Sequence, residues 1–247
     1  MGLPRKIPDF PENYDLGHAL FITLWYNKNQ NQPSEKKEGI SMINPPLCHT
    51  GTIVLHTERL VLRPFVLADS EAMYKNWASD EDVTRYLRWP PHGDVSVSEA
   101  VLSDWCARYE DPAYYQWAIV PTEIIGDAEN VGEPIGSIGV ISLDPVIGCA
   151  HIGYAIGRAW WHRGVTSEAL AAVIDHLFDK VGMLRIESMH DPDNPHSGGV
   201  MQKCGMTYEG TRRCADFNNR GIVDACDYAI LRREWETMRE RKRKNLP

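Results

Sequence analysis

The clearest chemical signal in the sequence is a strand-like segment that enters a glycine-containing turn and then a helix-like segment. Ile152–Gly157 forms the strand-like part, and Trp161–Ser167 forms the turn and the start of the helix. A turn that opens a helix directs unpaired N–H groups and the positive end of the helix dipole towards one point. The segment therefore predicts an anion site suited to a pyrophosphate, although an ordinary strand-to-helix connection uses the same residue types.

His151 lies immediately before this segment and is the residue best suited to move a proton. On a strand its side chain shares a face with Gly153 and Ala155, whose small size allows a ligand to approach the backbone closely. A neutral imidazole accepts a proton near neutral pH, so His151 is a candidate general base. A partly buried histidine that serves only in packing is the alternative.

Several further motifs lie before and after this strand–turn–helix segment. Together with Ile152–Ala169 they resemble the GNAT N-acetyltransferases, in particular the branch that contains the ribosomal-protein N-terminal acetyltransferases. The resemblance runs from about Thr57 to Trp235 and rests on Glu58–Pro64, Asp193–Ser197, Lys203–Met206, Tyr208–Gly210, and Asp224 with Tyr228. Ordered motifs at consistent separations are much harder to meet by chance than one glycine pattern.

The resemblance implies a fold and a co-substrate. The fold is α+β, a GNAT-like mixed, mostly antiparallel central sheet flanked by helices, with a splayed strand pair that forms an acetyl-CoA cleft. The residues implied for the pantetheine side are Tyr154, Ala155, Ile156, Asn194 and Ser197. Those implied for the pyrophosphate turn are Trp161, His162, Arg163, Gly164, Val165, Thr166 and Ser167.

Departures from the family pattern bear on mechanism. Met201 stands where many relatives have a tyrosine that protonates the departing thiolate, which leaves Ser197 as the implied acid. His151 stands where the ribosomal branch has a carboxylate, and it is the hypothesised base, because a protonated amine has no lone pair with which to attack. Trp161 and His162 replace the usual start of the turn, which matters little if backbone amides bind the ligand.

The resemblance implies a primary amine as the acceptor, either a protein N-terminus or a small molecule, acetylated by direct transfer in a ternary complex. Trp89 is a candidate acceptor-binding residue, because Arg88–Pro91 has the composition of a loop that walls a cleft. A non-catalytic acyl-CoA-binding module is the alternative, motivated by the missing tyrosine and carboxylate. A monomer and a homodimer both remain open.

Periodicity and capping residues predict the elements that position these residues. Strands are predicted at 53–55, 60–62, 115–120, 135–142, 150–156 and 185–189, with 206–215 and 223–231 as a closing hairpin. Helices are predicted from Asp69 to Ala78, from Ser96 or Ser98 to Tyr109, and at 166–180, 197–204 and 232–244. The domain organisation is an irregular extension at 1–50, which has the composition of a leader or foreign segment, an acetyltransferase domain at 51–236, and a charged tail at 237–247.

Composition narrows the classes of partner and compartment. The 247 residues carry a formal net charge of −8, which argues against a nucleic-acid-binding surface. The six cysteines are scattered without metal-ligand spacing, so we expect reduced thiols, a cytoplasmic location and no metal, with His190–Asp193 forming a turn. The apolar run Ala19–Tyr26 is far shorter than the roughly 20 residues that cross a bilayer, so no membrane partner is expected.

Overall fold

The computed structural model describes residues 46–125 and 130–244. Its centre is an eight-stranded sheet of order β1-β2-β3-β4-β5-β6-β8-β7. Only β5 and β6 run parallel among the described strands, and all other neighbours are antiparallel. The strands are β1 (Leu55–His56), β2 (Leu60–Pro64), β3 (Gln116–Pro121), β4 (Gly136–Asp144), β5 (Cys149–Ile156), β6 (Arg185–His190), β7 (Thr207–Asn218) and β8 (Gly221–Leu231).

Helices cover both faces of this sheet. They are α1 (Ser70–Met73), α2 (Glu81–Thr84), α3 (Val95–Arg108), α4 (Val165–His176), α5 (Pro195–Lys203) and α6 (Arg232–Lys244). Two of them continue into a wider, π-helical turn: α1 continues through Tyr74–Ala78, and α4 continues through Leu177–Val181. The second of these ends at Gly182, whose φ of 93° lies in the left-handed region that favours glycine.

The apolar core has two parts because successive side chains on a strand point to opposite faces of the sheet. On one face, the strand residues Leu62, Ile138 and Ile152 pack against α4. On the other face, Ala155 packs with residues of the α1–α3 layer, including Trp77. β5 therefore contributes to both halves of the core, and its side chains reach both sides of the sheet.

The predicted α+β class and the mostly antiparallel sheet are confirmed, and several element ends differ. The first strand is Leu55–His56 rather than 53–55. The predicted start of the second helix at Ser96 or Ser98 is wrong, because Asp94 is the N-cap and its carboxylate accepts a hydrogen bond from Ser96 N at 2.8 Å. Ser98 is instead buried within the helix.

The predicted helix from Asp69 to Ala78 is interrupted. Asp69 precedes α1, but its carboxylate is taken up by Arg63 at 2.7 Å and by Val66 N at 2.9 Å rather than by the helix it was expected to cap. The α-helical part ends at Met73, where the wider turn begins. The buried Trp77 lies in that turn.

The two ends of the chain are described only in part. Most of the 1–50 extension lies outside the described residues, although Cys48 N donates to Val181 O at 2.8 Å. α6 runs unbroken through position 237, the proposed start of the tail, and Trp235 within it is buried in the core. Among the helices of the described ranges, none combines the length and apolar character needed to cross a membrane.

Candidate active site

A gap between the parallel strands β5 and β6 is the central feature of the site. The two strands pair only where Cys149–His151 lies beside Arg185–Glu187, and they diverge beyond that point. At the point of divergence the Ser188 hydroxyl donates to the carbonyl of Ile152 at 2.8 Å. Because alternate peptide groups of a strand face the same edge, those of Tyr154 and Ile156 also face the gap.

Part of this edge is already occupied by the chain itself. The indole Nε1 of Trp161 donates to the carbonyl of Ile156 at 3.0 Å. The N–H groups of Tyr154 and Ile156 and the carbonyl of Tyr154 lie along the edge that β6 has left, where a β-strand would normally supply partners. An extended ligand with amide groups can take the place of that missing strand.

The turn after β5 leads to the start of α4. His162 has a φ of 60° and Gly164 a φ of 77°, so the chain twice enters the left-handed region before α4 begins at Val165. The carbonyl of Gly164 accepts the first helical hydrogen bond, from Glu168 N at 3.0 Å. The N–H groups of the first helical turn have no intrahelical partner and point out of the helix end. This is the geometry of an anion site.

Ser167 provides a test of whether this turn suits a phosphate-bearing ligand. Its hydroxyl oxygen is buried and has no hydrogen-bond partner among the described residues. The residue also lines the large cavity described below. A buried hydroxyl without a partner costs about 1–3 kcal/mol, and a phosphate oxygen would satisfy it. The turn therefore fits a phosphate group.

A carboxylate in α4 ties the turn to the start of the sheet. One oxygen of Glu168 accepts from the Thr57 hydroxyl at 2.6 Å and from Arg59 N at 2.9 Å, and the other accepts from Arg59 Nε at 2.8 Å. Arg59 Nη1 also donates to the carbonyl of Arg163 at 3.2 Å. Burial alone would raise the pKa of Glu168, but these hydrogen bonds and the Arg59 charge outweigh burial and lower it.

Sequence reasoning assigned no role to this clamp. The sequence did contain an indication of the clamp, since Arg59 lies in Glu58–Pro64, one of the motifs on which the resemblance rests. Nothing local in the sequence, however, links Arg59 with a helix residue 109 positions later.

One cavity of about 1320 Å³ brings almost all of the predicted site residues together. It lies along the gap and extends to both sides of β5. The predicted residues that line it are Trp89, His151, Tyr154, Ala155, Ile156, Trp161, His162, Gly164, Val165, Thr166, Ser167, Asn194 and Ser197. Arg163 is the predicted residue that does not line it, and its guanidinium Nε donates to the carbonyl of Ala159 at 3.0 Å.

Ser197 lies in the first turn of α5 and is hydrogen-bonded to Tyr154. The Tyr154 hydroxyl is 2.9 Å from Ser197 Oγ and 3.1 Å from the Ser197 carbonyl. Burial raises the pKa of Tyr154, so its hydroxyl stays protonated and can donate. Met201, one turn further along α5, is fully buried and offers no proton.

His151 lies at the inner end of the gap, and its closest charged neighbour is Glu187 on β6. His151 Nδ1 is 3.5 Å from Glu187 Oε1, and the other oxygen of Glu187 accepts from Arg185 Nε at 3.0 Å. The contact with His151, followed by the one with Arg185, lowers the pKa of Glu187 to about 2. Sequence reasoning missed Glu187, because its proximity to His151 depends on a parallel register only three residues long.

Trp89 lies on the opposite side of the cavity in the loop between α2 and α3. Its ring packs against His92 with 5.3 Å between ring centroids, and its carbonyl accepts from Asn219 Nδ2 at 2.8 Å. The neighbouring Arg88 forms a salt bridge of 2.7 Å with Asp216 on β7. The loop is thus attached to the β7–β8 hairpin, and Trp89 is held at the cavity wall.

The predicted turn at His190–Asp193 has a structural role. The buried carboxylate of Asp191 accepts from Asn218 Nδ2 at 2.8 Å and from Arg220 Nη1 at 3.2 Å. These bonds connect the end of β6 to the β7–β8 hairpin. Within residues 46–125 and 130–244, no group of three or more His, Cys, Asp or Glu side chains is arranged to hold a metal ion.

A comparison with known protein families decides where the chain belongs. Residues 59–207 match the acetyltransferase (GNAT) domain, a stretch that contains the β5–β6 gap, the turn, His151 and Ser197. The chain belongs to the GNAT acetyltransferase family. The predictions of this family and of an acyl-CoA-dependent acetyltransferase are confirmed, and acetyl-CoA is the co-substrate of the family.

Individual relatives agree with the family match. The GNAT chain is 31% identical to the uncharacterized N-acetyltransferase p20 of Bacillus licheniformis, over 73% of this chain and 97% of the relative. It is 28% identical to the ribosomal protein uS5-alanine N-acetyltransferase of Escherichia coli, over 63% and 79% of the two chains.

Solved structures agree on the fold. A GNAT-family acetyltransferase from Bacillus anthracis has a TM-score of 0.61 at 23% identity, covering 73% of this chain and 99% of that one. The ribosomal L7/L12 alpha-N-protein acetyltransferase RimL, solved with coenzyme A, has a TM-score of 0.63 at 18% identity, covering 72% and 97%.

Proposed function

We propose that this GNAT acetyltransferase transfers the acetyl group of acetyl-CoA to the primary amine of a protein N-terminus, by direct transfer in a ternary complex. The observation that carries the proposal is one cavity whose lining includes the residues of the β5–β6 gap, His151 and Trp89. Relatives named as ribosomal-protein acetyltransferases support an N-terminal amine as acceptor. The cavity also admits a small amine, which is the competing acceptor.

The proposed donor site is built from peptide groups rather than from charged side chains. The turn amides at the start of α4 would hold the pyrophosphate, and the Ser167 hydroxyl would complete its hydrogen bonding. The peptide groups of Tyr154 and Ile156 would pair with the pantetheine amides. When bound there, acetyl-CoA supplies a thioester whose carbonyl carbon is the electrophile.

The proposed chemistry needs one base and one acid. The imidazole of His151 accepts a proton from the incoming amine, which frees the lone pair that attacks the carbonyl carbon. N–H groups at the edge of β5 stabilise the negative charge that develops on the carbonyl oxygen. As the carbon–sulfur bond breaks, the Ser197 hydroxyl donates its proton to the sulfur and takes up the second proton that the nitrogen loses when it becomes an amide. The hydrogen bond to Tyr154 holds Ser197 in position.

The test is acetyl-CoA turnover, followed as release of free thiol between pH 6 and pH 9. The acceptor panel contains peptides that begin with Ala or Ser and, separately, polyamines and aminoglycosides. Wild type is compared with His151→Ala and with His56→Ala, a control on the exposed face of β1. We expect turnover with the peptides, a loss of about 100-fold or more in His151→Ala, and no change in His56→Ala.

Each other outcome overturns a specific part of the proposal. Turnover with small amines alone would show that the acceptor is a small molecule rather than a protein N-terminus. Unchanged rates in His151→Ala would return that residue to a packing role. Binding of CoA without turnover of any amine would favour a non-catalytic acyl-CoA-binding module.

A further inference from the structure

A second, smaller opening lies on the other side of His151. It has a volume of about 430 Å³ and is lined by charged residues of β6, β7 and β8. Its three carboxylates are Glu187, Glu209 and Asp227, and its two guanidinium groups belong to Arg185 and Arg212. Among the described residues, His151 and Ser188 line both this acidic crevice and the large cavity.

The charges in the acidic crevice pair in a way that leaves one carboxylate oxygen for His151. Arg212 binds Asp227 through two contacts, at 2.6 and 2.9 Å. Arg185 binds Glu209 through two contacts, at 2.9 and 2.5 Å, and reaches only one oxygen of Glu187. The second oxygen of Glu187 faces His151 Nδ1 at 3.5 Å.

The charged groups of the crevice do not balance one another. Three carboxylates and two guanidinium groups leave one unbalanced negative charge when the His151 ring is neutral. That charge is balanced when the ring gains a proton. Three uncharged groups also lie beside the His151–Glu187 pair, namely Tyr228 on β8, the β4 partner Ser142, and the Cys149 thiol, which contacts Glu187 and whose pKa burial raises to about 12. A positive charge formed on His151 during the reaction would therefore face the Glu187 carboxylate.

The contact between Glu187 and His151 also favours one of the two ring nitrogens as the base. An ionised carboxylate only accepts hydrogen bonds, so the carboxylate 3.5 Å from Nδ1 favours a hydrogen on that nitrogen in the neutral ring. The hydrogen is then on Nδ1, and Nε2 has the free lone pair. These roles of the two ring nitrogens require Glu187 to be ionised. Its pKa of about 2 is low enough to keep it ionised at the pH of the assays.

We propose that Glu187 is a positioning residue for this reaction, which holds His151 in the Nδ1–H tautomer so that Nε2 accepts the amine proton and balances the imidazolium charge that results. The proposal rests on the proposed function, because it assigns His151 as the base. It adds a residue on β6 that touches neither substrate and acts through His151.

The first readout is independent of turnover. Wild type, Glu187→Gln and Asp227→Asn are labelled with nitrogen-15 at histidine, and the His151 ring signals are assigned by their loss in His151→Gln. We expect the Nδ1–H tautomer in wild type and in Asp227→Asn, and a mixture in Glu187→Gln. Asp227→Asn is the matched control, because it removes the same charge from the same crevice without a contact to His151.

The second readout is the pH dependence of turnover. Glu187→Gln is expected to lower kcat by about 10-fold or more, which is part of the roughly 10²–10⁴ that general acid–base catalysis contributes, while KM for acetyl-CoA stays unchanged. The acid limb of its pH profile moves to lower pH, because the imidazolium has lost its partner. In a His151→Gln background the same substitution has no further effect, and Glu187→Asp restores part of the rate.

Two results overturn the proposal. One is an unchanged tautomer in Glu187→Gln, and the other is an equal loss in Asp227→Asn, which would indicate a general effect of charge. If circular dichroism shows that Glu187→Gln is unfolded, both measurements are made on Glu187→Asp instead. For that variant we expect the wild-type tautomer and a partial rate. If wild type turns over no amine, the tautomer measurement still decides the role of Glu187, while the proposed function alone fails.

Discussion

Replacing Glu168 by Gln tests whether the clamp behind the pyrophosphate turn organises the donor site. The Glu168 carboxylate receives the Thr57 hydroxyl, the Arg59 amide and the Arg59 guanidinium, and its side chain is only 18% exposed. In Glu168→Gln the amide oxygen can keep the first two bonds. Its NH₂ group then faces the guanidinium, donor against donor.

The size of the effect follows from the bonds that are lost. Hydrogen bonds to charged groups contribute about 1.5–3 kcal/mol each, and the Arg59 side chain is 28% exposed, which weakens its share by solvent screening. We expect the free energy of unfolding to fall by about 2 kcal/mol. Because the turn must then be reordered when CoA binds, we also expect the Kd for CoA to rise by about tenfold, or about 1.4 kcal/mol.

Chemical denaturation and titration calorimetry measure the two quantities. Glu236→Gln on the surface of α6 is the control. Glu236 lies 3.7 Å from Arg232 and its side chain is 53% exposed, so we expect the free energy of unfolding to change by at most about 0.5 kcal/mol. The folded-state pKa of Glu168 is lowered, so its contribution is complete above about pH 4.5 and is lost as the pH falls through the folded value. Wild type and Glu168→Gln should therefore converge in acid. Equal stability and equal CoA affinity at pH 7 would refute the reasoning.

Three further predictions concern the acid, the acceptor wall and a buried histidine. Ser197→Ala should lower kcat by about 100-fold and Tyr154→Phe by less, in single-turnover thiol release, with equal losses arguing against the proton path proposed here. Trp89→Ala should raise KM for the amine while KM for acetyl-CoA is unchanged, and a shift in both would place Trp89 outside the acceptor wall. Burial lowers the pKa of His92 to about 4, so the unfolded chain binds a proton between about pH 6.5 and 4 that the folded chain does not. Stability therefore falls by roughly 3 kcal/mol over that window, and denaturation of His92→Asn, which cannot titrate, should lack that part of the slope.

Local pattern was sufficient to predict the elements that carry the chemistry. β5, the turn, α4 and the β7–β8 hairpin appear where alternation and capping predicted them, because these features depend on residues close in the chain. The wide turn after α1 was not predicted. It forms where the buried Trp77 enters the core, and side-chain packing at that scale has no simple periodic signature.

The residues that sequence reasoning missed are those whose partners lie far away in the chain. Glu187 reaches His151 across the short parallel register of β5 and β6, and Glu168 reaches Arg59 across 109 positions. Such pairs are set by tertiary packing, which a single sequence does not encode in any local pattern. Resemblance to a family implied the donor-site residues one by one, but it linked neither Glu168 to Arg59 nor Glu187 to His151. The roles of His151 and Ser197 remain predictions.

The attachment of the Trp89 loop to the β7–β8 hairpin has a consequence for how acceptor preference diverges among relatives. Asp216 and Asn219, which tie down the loop, lie at the tip of the hairpin, far along the chain from the turn and α4. The proposed donor site and the fastening of the proposed acceptor wall therefore lie on different stretches of the chain. A few changes at the hairpin tip would therefore be expected to shift that wall and to leave the proposed donor residues unchanged.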